Sequence, residues 1–332
     1  MTRDALPPRK SGRAWRILVR IVVALALVAA APALAVWRAP LWVSSEVLRL
    51  QLLVAGIHSD VMTLDGAQLH YVEGGSGDPV VLVHGLGGSA RQDWAALMPY
   101  LVRSGHHVYA LDLFGFGESD RPADRRYAIG EQARLVMDFL DAKHLDRVVL
   151  GGESMGGWIA AKLALEQPRR VAKLMLFDSA GLTFKPNFDL GLFTPQTGDQ
   201  VDALMAILLP HPPILPDYVK ADLIRRTQRD GWVTRRALDA MTSGVDLLDQ
   251  NFSELKMPML IVWGKQDVLT PPTIGEAMHQ ASPQSILAVF DHCGHIAVQT
   301  CADRVGPLTV DFLGAIKLAA GSRIDVPADT TP

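Results

Sequence analysis

Gly152-Glu153-Ser154-Met155-Gly156 sets a serine between two glycines, behind the apolar run 147–150 and ahead of the helical pattern 158–166. A G-x-S-x-G between a strand and a helix predicts a tight turn that lifts the hydroxyl clear of a sheet. The free N–H groups of the helix start then point at the same spot. The glycines leave room for backbone to pass closely. A serine hydroxyl is a poor nucleophile at neutral pH and needs a base. His295 is the leading candidate, because it follows the apolar run 286–290 after a glycine, where a loop can swing the imidazole over the sheet edge. His292 is a rival three residues earlier. His84 is another, better placed beside a glycine-rich loop to orient that loop. The imidazole in turn needs a carboxylate to hold its tautomer and stabilise its charge. Asp267 follows the apolar run 259–263, and Asp178 is the fallback at another strand end. An oxyanion needs two backbone donors; Met155, after the serine, and Leu86, after His84-Gly85, are the candidates.

These residues need a scaffold that brings strand ends together. Residues 61–64 and 68–72 flank Asp65-Gly66, a hairpin signal. Short apolar runs follow at 80–83, 107–111, 147–150, 173–177, 259–263 and 286–290, with helical patterns such as 129–143 and 158–166 between them. Buried strands alternating with helices imply a mostly parallel sheet covered on both faces, with its chemistry at the strand carboxyl ends. We expect an eight-stranded sheet built from residues 61–179 and 256–318. Residues 180–255 are too long for a simple loop and read as a helical cap. Phe184, Phe188 and Phe193 make that cap apolar and are candidate substrate contacts. Asp112 with Gly115-Phe116-Gly117-Glu118-Ser119 reads as a structural turn. Gly85-Leu86-Gly87-Gly88 lacks the spacing and lysine of a phosphate loop. Residues 319–332 read as a disordered tail.

Composition narrows the partners. The 332 residues are 49% hydrophobic and 20% charged, a globular balance. The net charge of −3 gives no basic excess for nucleic acid. Cys293 and Cys301 are too few for a disulfide framework or a four-thiolate zinc site, and are read as small buried hydrophobes. Residues 1–20 hold six basic side chains against one acid, and residues 21–37 carry no charge. We expect residues 1–40 to be a single-pass anchor, with the N-terminus cytoplasmic and the body on the extracytoplasmic side; the alternative is a signal segment cleaved near Ala35. Residues 41–60 read as an amphipathic linker helix, packed on the body or lying at a membrane surface, with Val43, Val47, Leu50, Val54 and Ile57 at helical spacing.

The stretch from about 60 to 315 resembles the α/β-hydrolase family. The motifs are VHGLGG at 83–88, DLFGFGESDRP at 112–122, GGESMGGWIA at 151–160, IVWGKQDVLTP at 261–271 and DHCGHIAVQ at 291–299. The SMGG elbow, the WGKQD block and DHCGH look most like membrane-anchored monoacylglycerol lipases and bacterial lipases with an N-terminal hydrophobic segment. The resemblance implies Ser154 as nucleophile, Asp267 as acid, His295 as base, oxyanion donors at Leu86 and Met155, and a helical cap over the serine. It argues against haloalkane dehalogenases and epoxide hydrolases, which carry an aspartate at the nucleophile position. The expected chemistry is hydrolysis of small-molecule or lipid esters through an acyl-enzyme, with no metal or organic cofactor. Carbon–carbon bond hydrolases share much of the pattern and stand as the alternative, with a membrane-tethered binding protein behind them.

Overall fold

The computed structural model describes residues 12–314 and 318–328, with the side chains of 12–14 and 23–31 outside the description. Nine strands form one sheet: β1 (Ile57–Leu64), β2 (Ala67–Gly75), β3 (Asp78–Val83), β4 (His106–Leu111), β5 (Val148–Glu153), β6 (Val171–Phe177), β7 (Met259–Gly264), β8 (Ile286–Phe290) and β9 (Arg323–Val326). Their order is β1-β2-β4-β3-β5-β6-β7-β8-β9. The hairpin β1–β2 and the β2–β4 pair are antiparallel, and every other pairing is parallel.

The strands are apolar on both sides because helices cover both sides. In β3, Val81 and Val83 face one core and Val80 and Leu82 face the other, as the two-residue period of a strand requires. Helix Met155–Glu166 is buried almost all round, which suits its apolar run Trp158-Ile159-Ala160-Ala161. The chain runs from β3 outward to β4, then returns across β3 to β5. The direction of winding therefore reverses between β3 and β5. At such a reversal the connections diverge and leave a crevice at the strand carboxyl ends. His84-Gly85 and Ser154 stand at that crevice.

Several expectations are corrected. The sheet has nine strands, not eight, because residues 323–326 pair in parallel with β8 instead of fraying. Residues 315–317 and 329–332 of the expected core end and tail lie outside the described residues. The linker helix is Pro40–Val54 and stops short of residue 60; Gly56, at φ +76°, turns the chain and β1 begins at Ile57. Helix Gly12–Arg38 precedes it. Among the described residues, no helix is long and apolar enough to cross a membrane, so the expected single-pass anchor and its topology are not upheld. The described side chains of Gly12–Arg38 fall in two short stretches, which carry Arg16, Arg20, Pro32 and Arg38.

Residues 180–255, the expected cap, contain a short turn at Leu190–Phe193 and the helices Gly198–Leu208 and Asp217–Thr242. The second of these is tied to the N-terminal helices. Asp222 Oδ2 accepts the Leu41 N–H at 3.1 Å, and Arg225 donates to the Arg38 carbonyl at 2.9 Å.

Candidate active site

Ser154 sits in the turn between β5 and helix Met155–Glu166 with φ +52°, a conformation L-residues adopt only under constraint. The constraint is visible at the glycines. A Cβ on Gly156 would lie 2.0 Å from the Val83 carbonyl oxygen, and one on Gly152 would lie 2.1 Å from the Gly156 carbonyl oxygen. The turn is locked by the Ser154 N–H donating to Phe177 O at 2.9 Å and by Ser154 O accepting from Ala180 at 3.0 Å.

The structure brings Ser154, His295 and Asp267 together from the ends of β5, β8 and β7. His295 Nε2 is 2.9 Å from Ser154 Oγ, and His295 Nδ1 is 2.9 Å from Asp267 Oδ2. All three side chains are buried; Ser154 is 8% exposed. Asp267 Oδ1 accepts the N–H groups of Leu269 at 2.8 Å and Thr270 at 3.0 Å, a local turn that fixes the carboxylate plane. The Thr270 hydroxyl donates to Asp267 Oδ2 at 2.7 Å and lies 3.1 Å from His295 Nδ1. Thr270 is thus a fourth member of the constellation, one that sequence reading missed. Its only signal was its place three residues after the acid.

The other candidates take supporting places. His292, the rival base, is exposed, with φ +60°. His84 accepts the Leu113 N–H at Nε2 (3.0 Å), which puts its own proton on Nδ1, donated to Gly85 O at 2.7 Å. It therefore orients the loop that carries Leu86. Asp178 receives Gly264 N–H on one oxygen at 2.7 Å and Ala297 N–H on the other at 3.1 Å, so it clamps the acid loop to the histidine loop. Asp112 is buried in a turn, accepting from Ala90, from Glu118 N–H at 2.7 Å and from His70 at 2.8 Å. The N–H groups of Leu86 and Met155 have no partner among the described residues. Phe184 packs on the core, and Phe188 and Phe193 meet edge to face at 6.3 Å.

Glu153 was not foreseen either. It is buried with Oε1 3.7 Å from His295 Nε2. Burial, and then the carboxylates of Asp93, Asp178 and Asp267, push its carboxyl well above the usual range. Asp178 is pushed well up in the same way, by burial and by Asp267. Among the described residues no cluster of metal-ligating side chains is present.

The cysteines differ from expectation. Cys293 and Cys301 are joined as a disulfide, with Cα atoms 6.3 Å apart. The loop after β8 folds back through helix Ala297–Thr300 and returns residue 301 beside residue 293. An eight-residue spacing alone carries no signal of that return.

Comparison with known proteins agrees with this architecture. Residues 78–210 match the α/β hydrolase fold family. Lipase 1 of Psychrobacter immobilis is 27% identical over 72% of this chain and 78% of its own length. The 2-hydroxy-6-oxononadienedioate/2-hydroxy-6-oxononatrienedioate hydrolase of Paraburkholderia xenovorans is 30% identical over 74% of this chain and 90% of its own. A solved structure of a membrane phospholipase A, described as a bacterial virulence factor, superposes with a TM-score of 0.75 at 26% identity, over 90% of this chain and 99% of that one. With a relative that similar over nearly its whole length, and with a parallel sheet that delivers a serine, a histidine and a carboxylate to one crevice, the chain belongs to the α/β-hydrolase fold family and is a hydrolase of that fold.

Proposed function

We propose that this hydrolase cleaves carboxylic esters with a lipid-like acyl group, through Ser154, His295 and Asp267. Ser154 Oγ attacks the ester carbonyl carbon while His295 Nε2 takes its proton. The Leu86 and Met155 N–H groups hold the oxyanion. The imidazolium, steadied by Asp267, returns the proton to the leaving alcohol, and water then hydrolyses the acyl-enzyme by the same route. Phe184, Phe188 and Phe193 line the acyl path, where each buried methylene contributes about 0.8 kcal/mol.

The relatives include both a lipase and a carbon–carbon bond hydrolase, so the triad alone does not choose between them. The observation that carries the ester reading is how the cap spends its arginines. An acidic dienol substrate needs cationic groups over the serine. Arg225 is paired with Asp222 and the Arg38 carbonyl, Arg229 with Asp230, and Arg236 with the carbonyls of Ala123 and Arg125. Three of the five cap arginines are thereby committed to the protein itself.

The substrate's source is a lipid surface. Val47, Leu50 and Val54, the helical stripe of Pro40–Val54, face outward at 48%, 55% and 92% exposure, with Trp37 and Trp42 beside them. Arg20 and Arg38 precede this stripe in the chain and suit anionic headgroups. Similarity to a membrane phospholipase A supports the same reading.

The test is hydrolysis of an ester series from acetyl to palmitoyl, with Ser154→Ala as control. Turnover that rises with chain length and falls at least ~10³-fold in the mutant is expected. A folded protein inert on every ester, yet active on a vinylogous diketone, would replace this reading with carbon–carbon cleavage. Sedimentation with phosphatidylglycerol vesicles tests the surface; Leu50→Asp with Val54→Asp should abolish it.

A further inference from the structure

We propose that the Cys293–Cys301 disulfide is a positioning element for His295, holding base and acid in register while the cap moves. The proposal rests on the reading of Ser154, His295 and Asp267 given above.

Both cysteines are buried, and the ring they close contains Gly294, His295, Ile296 and helix Ala297–Thr300. The Cys301 end is fixed to the body. Its carbonyl accepts the Val305 N–H at 2.9 Å at the start of helix Ala302–Leu313, whose Val305 and Phe312 lie in the core. The Cys293 end is fixed to the acid loop. Its carbonyl accepts the Gln266 N–H at 2.9 Å, one residue before Asp267. A Cβ on Gly264 would lie 2.1 Å from Gly294 O, so the acid loop rests directly on this backbone. One residue therefore ties the acid loop through its carbonyl and the helix beyond the base through its sulfur. Arg304 reinforces the junction: one guanidinium nitrogen donates to both sulfurs at 2.9 and 3.3 Å, and the other to Asp291 O at 3.0 Å and Pro327 O at 2.9 Å.

The need for this tether comes from the cap. The His295 N–H donates to Leu208 O at 3.0 Å, and a Cβ on Gly294 would lie 2.6 Å from Pro210 Cδ, so the end of cap helix Gly198–Leu208 sits on the histidine loop. With Ser154 only 8% exposed, the proposal has this end of the cap shift to admit substrate. That shift removes the Leu208 bond from the backbone of His295. The disulfide and the Ala297–Asp178 bond then keep the loop in place. The cross-link forms when two thiols lose two protons and two electrons to an acceptor disulfide, which becomes two thiols; a dithiol reductant reverses it.

The full chain, its Cys301→Ala variant and its Cys293→Ala/Cys301→Ala variant are compared on the same ester, below each protein's melting temperature. Misplacement by ~1 Å costs up to ~10²-fold, so kcat should fall between tenfold and a hundredfold while KM changes by less than about threefold. The rate of Ser154 labelling by a fluorophosphonate should fall by the same factor. If the variants do not fold, wild-type protein reduced by dithiothreitol and reoxidised with oxidised glutathione serves instead, and kcat should drop and return. Wild-type kcat with only a lowered melting temperature would overturn the proposal, as would two free thiols per denatured chain of fully active enzyme. A wild-type Ser154 that neither labels nor turns over would overturn the site reading beneath it, and is distinguished by that.

Discussion

Replacing Asp267 by asparagine keeps the shape of the acid and reverses the proton on the base. Asp267 Oδ1 takes two backbone donors, Leu269 and Thr270 N–H, at 2.8 and 3.0 Å. Only the amide oxygen of an asparagine satisfies both, so its NH₂ is forced to the Oδ2 position. There it faces His295 Nδ1 and Thr270 Oγ1. Thr270 adapts by accepting from the amide and donating to Asp178 O, already 3.1 Å away. Imidazole adapts only by accepting at Nδ1, which moves its proton to Nε2, and an Nε2–H cannot take the proton of Ser154. The fold is left intact, with a stability change within about 1 kcal/mol, because every buried polar group keeps a partner. The wrong tautomer costs ~10⁴ in kcat, about 5.5 kcal/mol of barrier. Steady-state ester hydrolysis beside urea unfolding measures both quantities. A variant retaining a tenth of wild-type kcat would refute the reasoning, and would mean that Glu153 or Asp178 orients the imidazole instead.

Other consequences are open to measurement. Glu153 has its carboxyl raised by burial and by neighbouring carboxylates, so the folded state binds a proton that the unfolded chain has released above pH ~4.3. Its contribution to stability is full below that pH and is lost as pH rises toward the folded value. Glu153→Gln, a permanent mimic of the neutral acid, should therefore gain melting temperature over wild type between pH 5 and pH 8; an equal difference at both pH values would contradict the sign. Gly156→Ala drives a methyl against the Val83 and His84 carbonyl oxygens, at 2.0 and 2.5 Å, and backbone there cannot yield cheaply. It should cost ~3 kcal/mol or more in urea unfolding, and a well-folded, active variant would show the elbow to be looser than described. Asp222→Ala removes the acceptor of Leu41 N–H and the partner of Arg225, releasing helix Pro40–Val54 from the cap. KM for long-chain esters should change more than KM for acetyl esters, and parallel changes for both would detach the helix from substrate entry.

The sequence carried the parts of this molecule whose causes are local. A serine between glycines, a histidine after a strand and an aspartate before Pro271-Pro272 are each legible because turn chemistry acts within a few residues. The parallel sheet was legible because a strand buried on both faces must be apolar throughout. What escaped depends on distant partners. β9 is four residues, Arg323–Val326, with two charges and no apolar run; it is a strand because β8 offers an open edge. Cys301 meets Cys293 only after a helix turns the chain back. The stripe Val47, Leu50, Val54 was visible as a pattern, but whether it faced the body or the outside was decided by the helix's rotation on the cap, through Leu41 and Asp222. The expected anchor failed for a different reason: an uncharged run of 17 residues at 21–37 was read as a span, but among the described residues no helix is long and apolar enough to cross a membrane.

The strangest feature of the site is its surplus of acid. Glu153, Asp178 and Asp267 are all buried at the site, and Asp93 is buried beside them on the His84 side. Four carboxylates together there would repel one another in a medium that screens poorly. The hydrogen bonds divide their labour. Four donors converge on Asp267: two N–H groups, the Thr270 hydroxyl and His295 itself. Asp178 receives two, both from backbone it joins, and burial drives it upward, as burial also does for Glu153 and Asp93. Burial that holds the protons of Glu153 and Asp178 to higher pH opposes negative charge beside the oxyanion proposed between Leu86 and Met155. A negative charge at Glu153, next to Ser154 and against Gly85, would oppose that oxyanion. The same burial that costs folding stability at alkaline pH therefore works against negative charge at Glu153, in front of the imidazole that Asp267 holds from behind.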